Sequence, residues 1–144
     1  MATTQVRTRL RLSPHFTIEE FDCKDAARTR VPAAAIPALK ELCVHLLEPL
    51  REKYGPCTIT SGYRTVSHNR AQGGVPDSQH IYEKSPGSVA ADVKFRDGTV
   101  AEWARSARWR IENKPRWSGR GGIGDYPSDG FIHVDSGPRD NFRG

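Results

Sequence analysis

Three residues of the kinds that bind zinc stand far apart in this sequence: His80 in Ser-Gln-His, Asp92 in Ala-Ala-Asp, and His133 in Phe-Ile-His-Val-Asp. Two imidazoles and one carboxylate are a donor set that a catalytic zinc accepts, because three protein ligands leave the fourth tetrahedral position open for water. A chain that uses these residues together must fold so that three distant segments meet. The trio therefore predicts a metal hydrolase.

Two further residues are candidates for binding a substrate beside such a metal. Arg64 ends Ser-Gly-Tyr-Arg, directly after a predicted strand, and a guanidinium there can hold a substrate carboxylate by two parallel hydrogen bonds. Its alternative role is a structural ion pair with Glu48 or Glu52. Ser78 is the second candidate, and its alternative role is a hydrogen bond to the backbone near His80.

The ordered series of short motifs resembles the M15 zinc peptidases, from about Leu12 to Asp135. The segments that carry the resemblance are Ser61-Gly62-Tyr63-Arg64, His68-Asn69-Arg70, Gly73-Gly74, Ser78-Gln79-His80, Ala90-Ala91-Asp92, Gly121-Gly122-Ile123-Gly124-Asp125-Tyr126-Pro127 and Phe131-Ile132-His133-Val134-Asp135. This family contains D-Ala-D-Ala carboxypeptidases and phage endolysins that cut peptidoglycan stem peptides, and it shares its fold with the amino-terminal Hedgehog domain. The resemblance implies Zn2+ as the cofactor and bacterial peptidoglycan as the partner.

Two carboxylates are alternative candidates for the general base. Many family members carry an acid three residues before the last histidine ligand, where this chain has Gly130. Asp129 on a Ser-Asp-Gly turn and Asp135 are the candidate catalytic residues that would pass a proton from water to the leaving amine. Asp135 has an alternative role, because a carboxylate two residues from His133 can instead orient that imidazole.

The segment between the first two ligands is longer than the usual family pattern. His80 and Asp92 are twelve residues apart, and Tyr82-Glu83-Lys84-Ser85-Pro86 is interpreted as an inserted loop. Since both ligands flank it, we expect it at the mouth of the site, where it would affect substrate choice. Glu83 is either an additional metal ligand or a solvated loop residue.

The length of 144 residues fits one domain. We predict a single M15-like peptidase domain over 1–144, with 1–11 as a flexible amino-terminal arm. No stretch approaches the roughly 20 apolar residues of a membrane span, and the amino terminus lacks the apolar core of an export signal. We therefore expect a protein made in the cytoplasm that reaches the wall by other means, such as a holin pore or a virion.

The net charge of +5 comes from lysines and arginines spread along the chain and enriched near Trp109 and Trp117. A solvated basic face is the first interpretation and attraction to anionic wall polymers the second. Nucleic-acid binding would use those tryptophans for stacking but leaves the ligand trio unexplained, so no such partner is expected. Cys23, Cys43 and Cys57 form no Cys-x-x-Cys pair, which favours buried free thiols.

Periodicity and capping signals predict an α+β fold. The predicted elements are a short helix after the Thr17–Glu20 capping box, a helix over 32–53 kinked or broken at Pro49, a strand over 57–60, a short helix over 67–72, a strand over 89–95, a helix over 99–113 and a strand over 131–135. Alternation along the last strand places His133 and Asp135 on one face. We predict a small, mainly antiparallel sheet with helices on one face and a zinc cleft on the other, as in the Hedgehog/DD-peptidase fold.

The expected function is zinc-dependent cleavage of D-amino-acid-containing bonds in peptidoglycan stem or cross-bridge peptides. Either an endopeptidase or a D-Ala-D-Ala carboxypeptidase fits, and a phage or prophage lytic enzyme is the preferred setting. The alternative is a non-catalytic zinc-binding module of a virion or wall. The sequence sets no oligomeric state.

Overall fold

A computed structural model describes residues 10–84, 88–113 and 121–137 of the chain. Six strands and three main helices alternate along them. In chain order they are β1 (Arg11–Ser13), β2 (Phe16–Thr17), a 3-10 turn (Ile18–Phe21), the long helix α1, β3 (Cys57–Ser61), α2 (Val66–Ala71), β4 (Ala90–Phe95), α3 (Val100–Asn113), β5 (Gly122–Tyr126) and β6 (Phe131–Asp135). The fold is α+β, as predicted.

Helix α1 runs through Ile36–Leu42, Cys43–Leu47 and Glu48–Tyr54, and its middle segment is a π-helical turn. The sequence predicts a kink or break at Pro49, because proline has no N–H to donate. The chain instead widens the turn just before the proline, where the N–H of Glu48 donates to the carbonyl of Cys43. The helix therefore continues past Pro49 and ends at Gly55, whose φ is 85°.

Strands β3 to β6 form one antiparallel sheet in the order β3-β4-β6-β5. In this sheet Asp92 on β4 lies directly opposite His133 on β6. Strand β5 is not among the predicted elements, because its glycines have low strand propensity. It pairs with β6 throughout as a hairpin, and that pairing outweighs local propensity.

The core lies between one face of the sheet and helices α1 and α3. Alternation sends Ala91, Val93, Ile132 and Val134 to this face, and all four are fully buried. Asp92 and His133 consequently point to the opposite face. The short α2 precedes the His80 segment, which lies over that opposite face, so only α1 and α3 pack as the predicted helical layer.

Helix α3 begins with the predicted capping box. The backbone N–H of Thr99 donates to the Glu102 carboxylate at 2.9 Å, and the N–H of Glu102 donates to the Thr99 hydroxyl at 3.2 Å. Trp103 is buried, and its indole N–H donates to the carbonyl of Asp97 at 2.8 Å. Trp109 on the same helix is 58% exposed.

The amino-terminal hairpin closes one edge of the core. The N–H of Ile18 donates to the carbonyl of Leu10, and Arg11 belongs to β1, so the end of the predicted 1–11 arm is part of this hairpin. Residues 1–9, the last two residues of the predicted 82–86 insertion (85 and 86) and Trp117 lie outside the described residues. The three cysteines are free, and Cys23 and Cys43 are buried as expected, whereas Cys57, also expected to be buried, is half-buried. None of the described helices is both long and apolar enough to cross a bilayer.

Gly62, directly after β3, lies close against the backbone of Phe21 at the end of the 3-10 turn. A Cβ at this position would lie 2.7 Å from both the Cα and the carbonyl oxygen of Phe21, and the N–H of Tyr63 donates to that same oxygen at 2.8 Å. Two backbone segments meet here, and the hydrogen bond from Tyr63 to Phe21 joins them.

We expect Gly62→Ala to lower the free energy of unfolding by about 1–3 kcal/mol, because an added methyl would overpack against backbone. Urea denaturation of the metal-free protein measures this. Gly124→Ala is the matched control, because its nearest neighbour is the movable ring edge of Tyr126 at 3.2 Å. Equal stability of the two variants would contradict the close approach as the cause.

Candidate metal centre

The three predicted ligands come together on the face of the sheet that points away from the core. Asp92 and His133 are supplied by adjacent strands in register. His80 arrives from the segment after α2, where its carbonyl accepts from the N–H of Arg64 at 2.8 Å and its N–H donates to the Ser78 hydroxyl at 3.1 Å. Two backbone contacts thus fix the only ligand that does not lie on a strand.

One carboxylate oxygen sits between the two imidazoles. Oδ1 of Asp92 is 3.1 Å from Nε2 of His80 and 3.0 Å from Nδ1 of His133. The donor atoms of all three residues lie within 4.8 Å of one another. Two zinc ligands at tetrahedral angles are about 3.3 Å apart, so the observed spacing is close to that of a metal site.

The far side of each imidazole has its own acceptor. Nδ1 of His80 is 2.6 Å from the carbonyl oxygen of Gly62, and Nε2 of His133 is 3.0 Å from Oδ2 of Asp135. We assign the ring protons to these two nitrogens, because a carbonyl oxygen and a carboxylate can only accept. Each imidazole then turns a lone pair toward Asp92, and three acceptors face one another. A cation fits this arrangement, and the donor set suits zinc.

Burial and neighbouring charges shift the pKa values of the three ligands in opposite directions. Burial lowers the pKa of His80. Burial on its own would also lower the pKa of His133, but hydrogen bonds with Asp135 and Asp92 raise it above its ordinary value. The pKa of Asp92 would rise on burial, yet the two neighbouring imidazoles hold it well below its ordinary value. Asp92 is therefore ionised in the whole range where imidazoles titrate.

Arg64 lies beside the second oxygen of Asp92. Its Nη2 is 3.5 Å from Oδ2 of Asp92, its Nε donates to the Ser61 hydroxyl and its Nη1 donates to the Asn69 side chain, both at 3.0 Å. The structural partners are thus Ser61, Asn69 and Asp92, not the helix carboxylates considered from the sequence. A guanidinium has more N–H groups than these contacts use, so Arg64 retains donors for a further ligand.

The remaining predicted site residues take different positions. Ser78 is fully buried, and its hydroxyl supports His80, the alternative role considered from the sequence. Asp135 is also fully buried, and its carboxylate binds His133 and the N–H of Gly137. Asp129 is exposed in the turn between β5 and β6. Glu83 accepts from the Tyr63 hydroxyl at 2.9 Å and stands outside the ligand group.

The supporting roles of two residues were not predicted from the sequence. Gly62 offers its carbonyl to His80, and Asn69 holds Arg64 while its amide donates to the carbonyl of Val75 at 2.8 Å. Both stand inside motifs that are visible in the sequence. The contact of Gly62 with His80 spans 18 residues, and those of Asn69 span five and six, but no sequence pattern indicates which neighbour a backbone carbonyl or an amide will contact.

His80, Asp92 and His133 form a buried group that could hold a metal ion, and Arg64 lies beside it. A sequence model of the family described as Peptidase M15 matches residues 14–135. The chain belongs to the Peptidase M15 family, and this membership supports a metallopeptidase. Neither a curated protein nor a solved structure gave a match.

We expect Asp135→Asn to weaken zinc binding by about 10- to 100-fold, because His133 loses the carboxylate that fixes its tautomer and ring orientation. Titration of metal-free protein against a chromophoric chelator measures the affinity. Asp129→Asn is the matched control and should bind zinc as tightly as the parent chain. Equal weakening by both variants would indicate a general charge effect instead of a specific contact.

Zinc affinity should fall in two stages as the pH is lowered. The raised pKa of His133 means that, in metal-free protein, a proton occupies this ligand at pH values above the ordinary imidazole pKa of about 6.5, and zinc must displace it. Below the raised pKa of His133 the apparent affinity for zinc drops about tenfold per pH unit. His80 has a lowered pKa and adds a second proton only at lower pH.

Calorimetric zinc titrations from about pH 8 to about pH 5, in buffers of different ionisation enthalpy, count the protons released. A single proton should be released near neutral pH. Affinity that stays flat over this range, or release of two protons from the outset, would contradict the opposite shifts of the two histidines.

Proposed function

We propose that this M15 chain is a zinc-dependent peptidase that cleaves D-amino-acid-containing bonds in the stem or cross-bridge peptides of peptidoglycan. The observation that carries the proposal is the convergence of three acceptors on one point, with each ligand supported from behind. A phage or prophage lytic role fits, with bacterial peptidoglycan as the partner and delivery through a holin pore or on a virion.

Zinc, when bound by His80, Asp92 and His133, supplies a Lewis acid that polarises a peptide carbonyl and lowers the pKa of a water. Each ligand is already oriented for this task. Gly62 and Asp135 hold the two imidazoles, and Arg64 holds the outer oxygen of Asp92. The site needs little rearrangement to bind the ion.

Arg64 is the proposed substrate clamp. Peptidoglycan stems carry carboxylates, and a planar guanidinium binds a carboxylate through paired N–H groups. Ser61 and Asn69 fix its orientation, so its remaining N–H groups have a defined direction. The contact with Asp92 keeps that direction close to the ligand trio.

Asp129 is the proposed general base. Asp135 accepts a hydrogen bond from His133, which supports a role in orienting that imidazole and favours Asp129 over Asp135 as the base. Among the described residues, the Asp129 side chain makes no hydrogen bond or ion pair, and the turn that carries it leads directly into β6. Gly130 follows with a φ of 74°, a conformation that glycine adopts without strain.

One observation favours the non-catalytic alternative. The side chains of His80 and His133 are at most 1% exposed, and that of Asp92 is 9% exposed. A substrate carbonyl must reach the ion past this burial, whereas a structural zinc needs no access. Turnover therefore decides between the two functions.

The zinc-loaded protein should release new amino groups from purified peptidoglycan, and His133→Ala should abolish that release. Chelation should stop the parent enzyme, and added zinc should restore it. His45→Ala, which removes a histidine from α1 away from the site, is the matched control and should remain active. Mass spectra of the fragments identify the bond.

Asp129→Asn should keep its zinc and lose about 10²- to 10⁴-fold in kcat, the range for a missing general base. Unchanged kcat in this variant would exclude Asp129 as the base. Absence of release from walls of several chemistries, despite bound zinc, would exclude the peptidase and favour the non-catalytic module.

A further inference from the structure

Strand β5 lies beside the metal ligands, but none of its residues has a role in the proposed function. In the β5–β6 hairpin Gly124 lies opposite His133, and Tyr126 lies opposite Phe131. Because side chains alternate along a strand, these two pairs, which are two residues apart, point to the same face of the sheet. Tyr126 and Phe131 therefore share the face that carries the metal ligands, which we call the site face.

Tyr126 and Phe131 stack on each other, and we call this pair the aromatic shelf. The ring centroids are 4.8 Å apart, and the ring planes are inclined by 16°. Both residues are half-buried, and neither is part of the hydrophobic core of the described residues or packed against it. A cross-strand aromatic pair stabilises a hairpin wherever it stands, so the position of the shelf beside the metal ligands is the feature that indicates a second role.

The Tyr126 ring leans along β5 toward His133. A Cβ added to Gly124 would lie 3.2 Å from Cε2 of Tyr126, 3.6 Å from its hydroxyl oxygen and 3.7 Å from Cβ of His133. Glycine at this position leaves room for the phenol ring. Since Gly122 and Gly124 have no side chains, Tyr126 supplies the only β5 side chain on the site face. The shelf is therefore continuous with the metal centre.

Arg64 and the shelf flank the metal ligands on opposite sides. The strand order is β3-β4-β6-β5. Arg64 is held by Ser61 at the end of β3 and approaches Asp92 on β4, whereas the shelf lies on β6 and β5. Adjacent strands are about 4.8 Å apart, so about two to three strand spacings separate the two sides by about 10–14 Å. An extended peptide covers that distance with about three to four residues.

The two sides suit different chemical groups. Arg64 is positively charged and suits a carboxylate. Aromatic faces carry the negative part of the ring quadrupole, so they repel an anion and attract a cation. Apolar methylenes also pack on such faces, whereas the single methyl of an alanine would cover little of two rings. A long aliphatic side chain that ends in an ammonium group fits both properties of the shelf.

We propose that Tyr126 and Phe131 bind the side chain of the diamino acid in a peptidoglycan stem, while Arg64 holds a carboxylate of the same peptide. This role rests on the proposed function, because it names the part of the substrate that the site selects. In a stem that ends in a diamino acid followed by D-Ala-D-Ala, that side chain and the terminal carboxylate stand on the first and last of three consecutive residues, a separation comparable with this span. The metal ligands then lie between the two contacts.

Synthetic pentapeptides of the form L-Ala-D-Glu-X-D-Ala-D-Ala test this role, with lysine, alanine or glutamate as X. Calorimetry with the chelator-treated full chain measures binding without cleavage. The parent chain should bind the lysine peptide at least about tenfold more tightly than the alanine peptide, and the glutamate peptide no more tightly than the alanine peptide. Tyr126→Ala should bind the lysine and alanine peptides equally, because the contact that distinguishes them is removed.

Two further variants separate the rings from other roles of these residues. Tyr126→Phe keeps the ring and should keep the preference for lysine, whereas Phe131→Leu keeps apolar bulk but loses an aromatic face, so the preference should fall. Trp109→Ala is the matched control, because Trp109 is an exposed aromatic on α3, which packs on the other face of the sheet. It should leave the binding of every peptide unchanged. Circular dichroism and zinc affinity establish that each variant is folded.

Three results would overturn the role of the shelf. They are a parent chain that binds no peptide or binds the lysine and alanine peptides equally, a lysine preference that survives in Tyr126→Ala, and one that is lost in Tyr126→Phe. A purely structural pair gives the second result, because its loss weakens all peptides alike. The zinc-loaded protein repeats the comparison as kcat/KM. Lysine-selective binding without cleavage would support the shelf and exclude the peptidase, whereas cleavage without selectivity would support the peptidase and exclude the shelf.

Discussion

The pairing of β4 with β6 determines the site. In this register Asp92 faces His133 on one side of the sheet, while Ala91 faces Val134 and Val93 faces Ile132. A shift of one residue would exchange the faces and bury the carboxylate in the core. The apolar contacts with α1 and α3 therefore hold the ligands in position. Packing on one face sets the geometry of the other.

Each ligand is also held from the side away from the common point. The Gly62 carbonyl binds His80, Asp135 binds His133, and Arg64 approaches the outer oxygen of Asp92. Such partners fix ring orientation and tautomer, which makes the site pre-organised. Two of these partners are in turn held by other groups, Asp135 by the N–H of Gly137 and Arg64 by Ser61 and Asn69. The metal ligands are therefore held by partners that are themselves held by hydrogen bonds.

The sequence predicts what depends on local pattern and misses what depends on distant contacts. Strands β3, β4 and β6 and helix α3 follow from alternation and a capping box, and the trio follows from the kinds of residue that bind zinc. Strand β5 was missed because Gly122 and Gly124 have low strand propensity, although both pair with β6, opposite Asp135 and His133. The role of Asp135 stayed open because only the folded geometry shows which side of His133 it contacts.

The number of ligands bears on whether the site serves catalysis or stability. Buried acceptors that face one another cost free energy, and replacing them with packed apolar side chains would often be neutral or stabilising. A structural zinc offsets that cost with four protein ligands, which close its coordination shell. Among the described residues the group has three members, and Glu83, the sequence candidate for a fourth, binds the Tyr63 hydroxyl. A set of three supported ligands among the described residues fits a catalytic zinc better than a structural one, which is the physical reason to prefer the peptidase over the structural module.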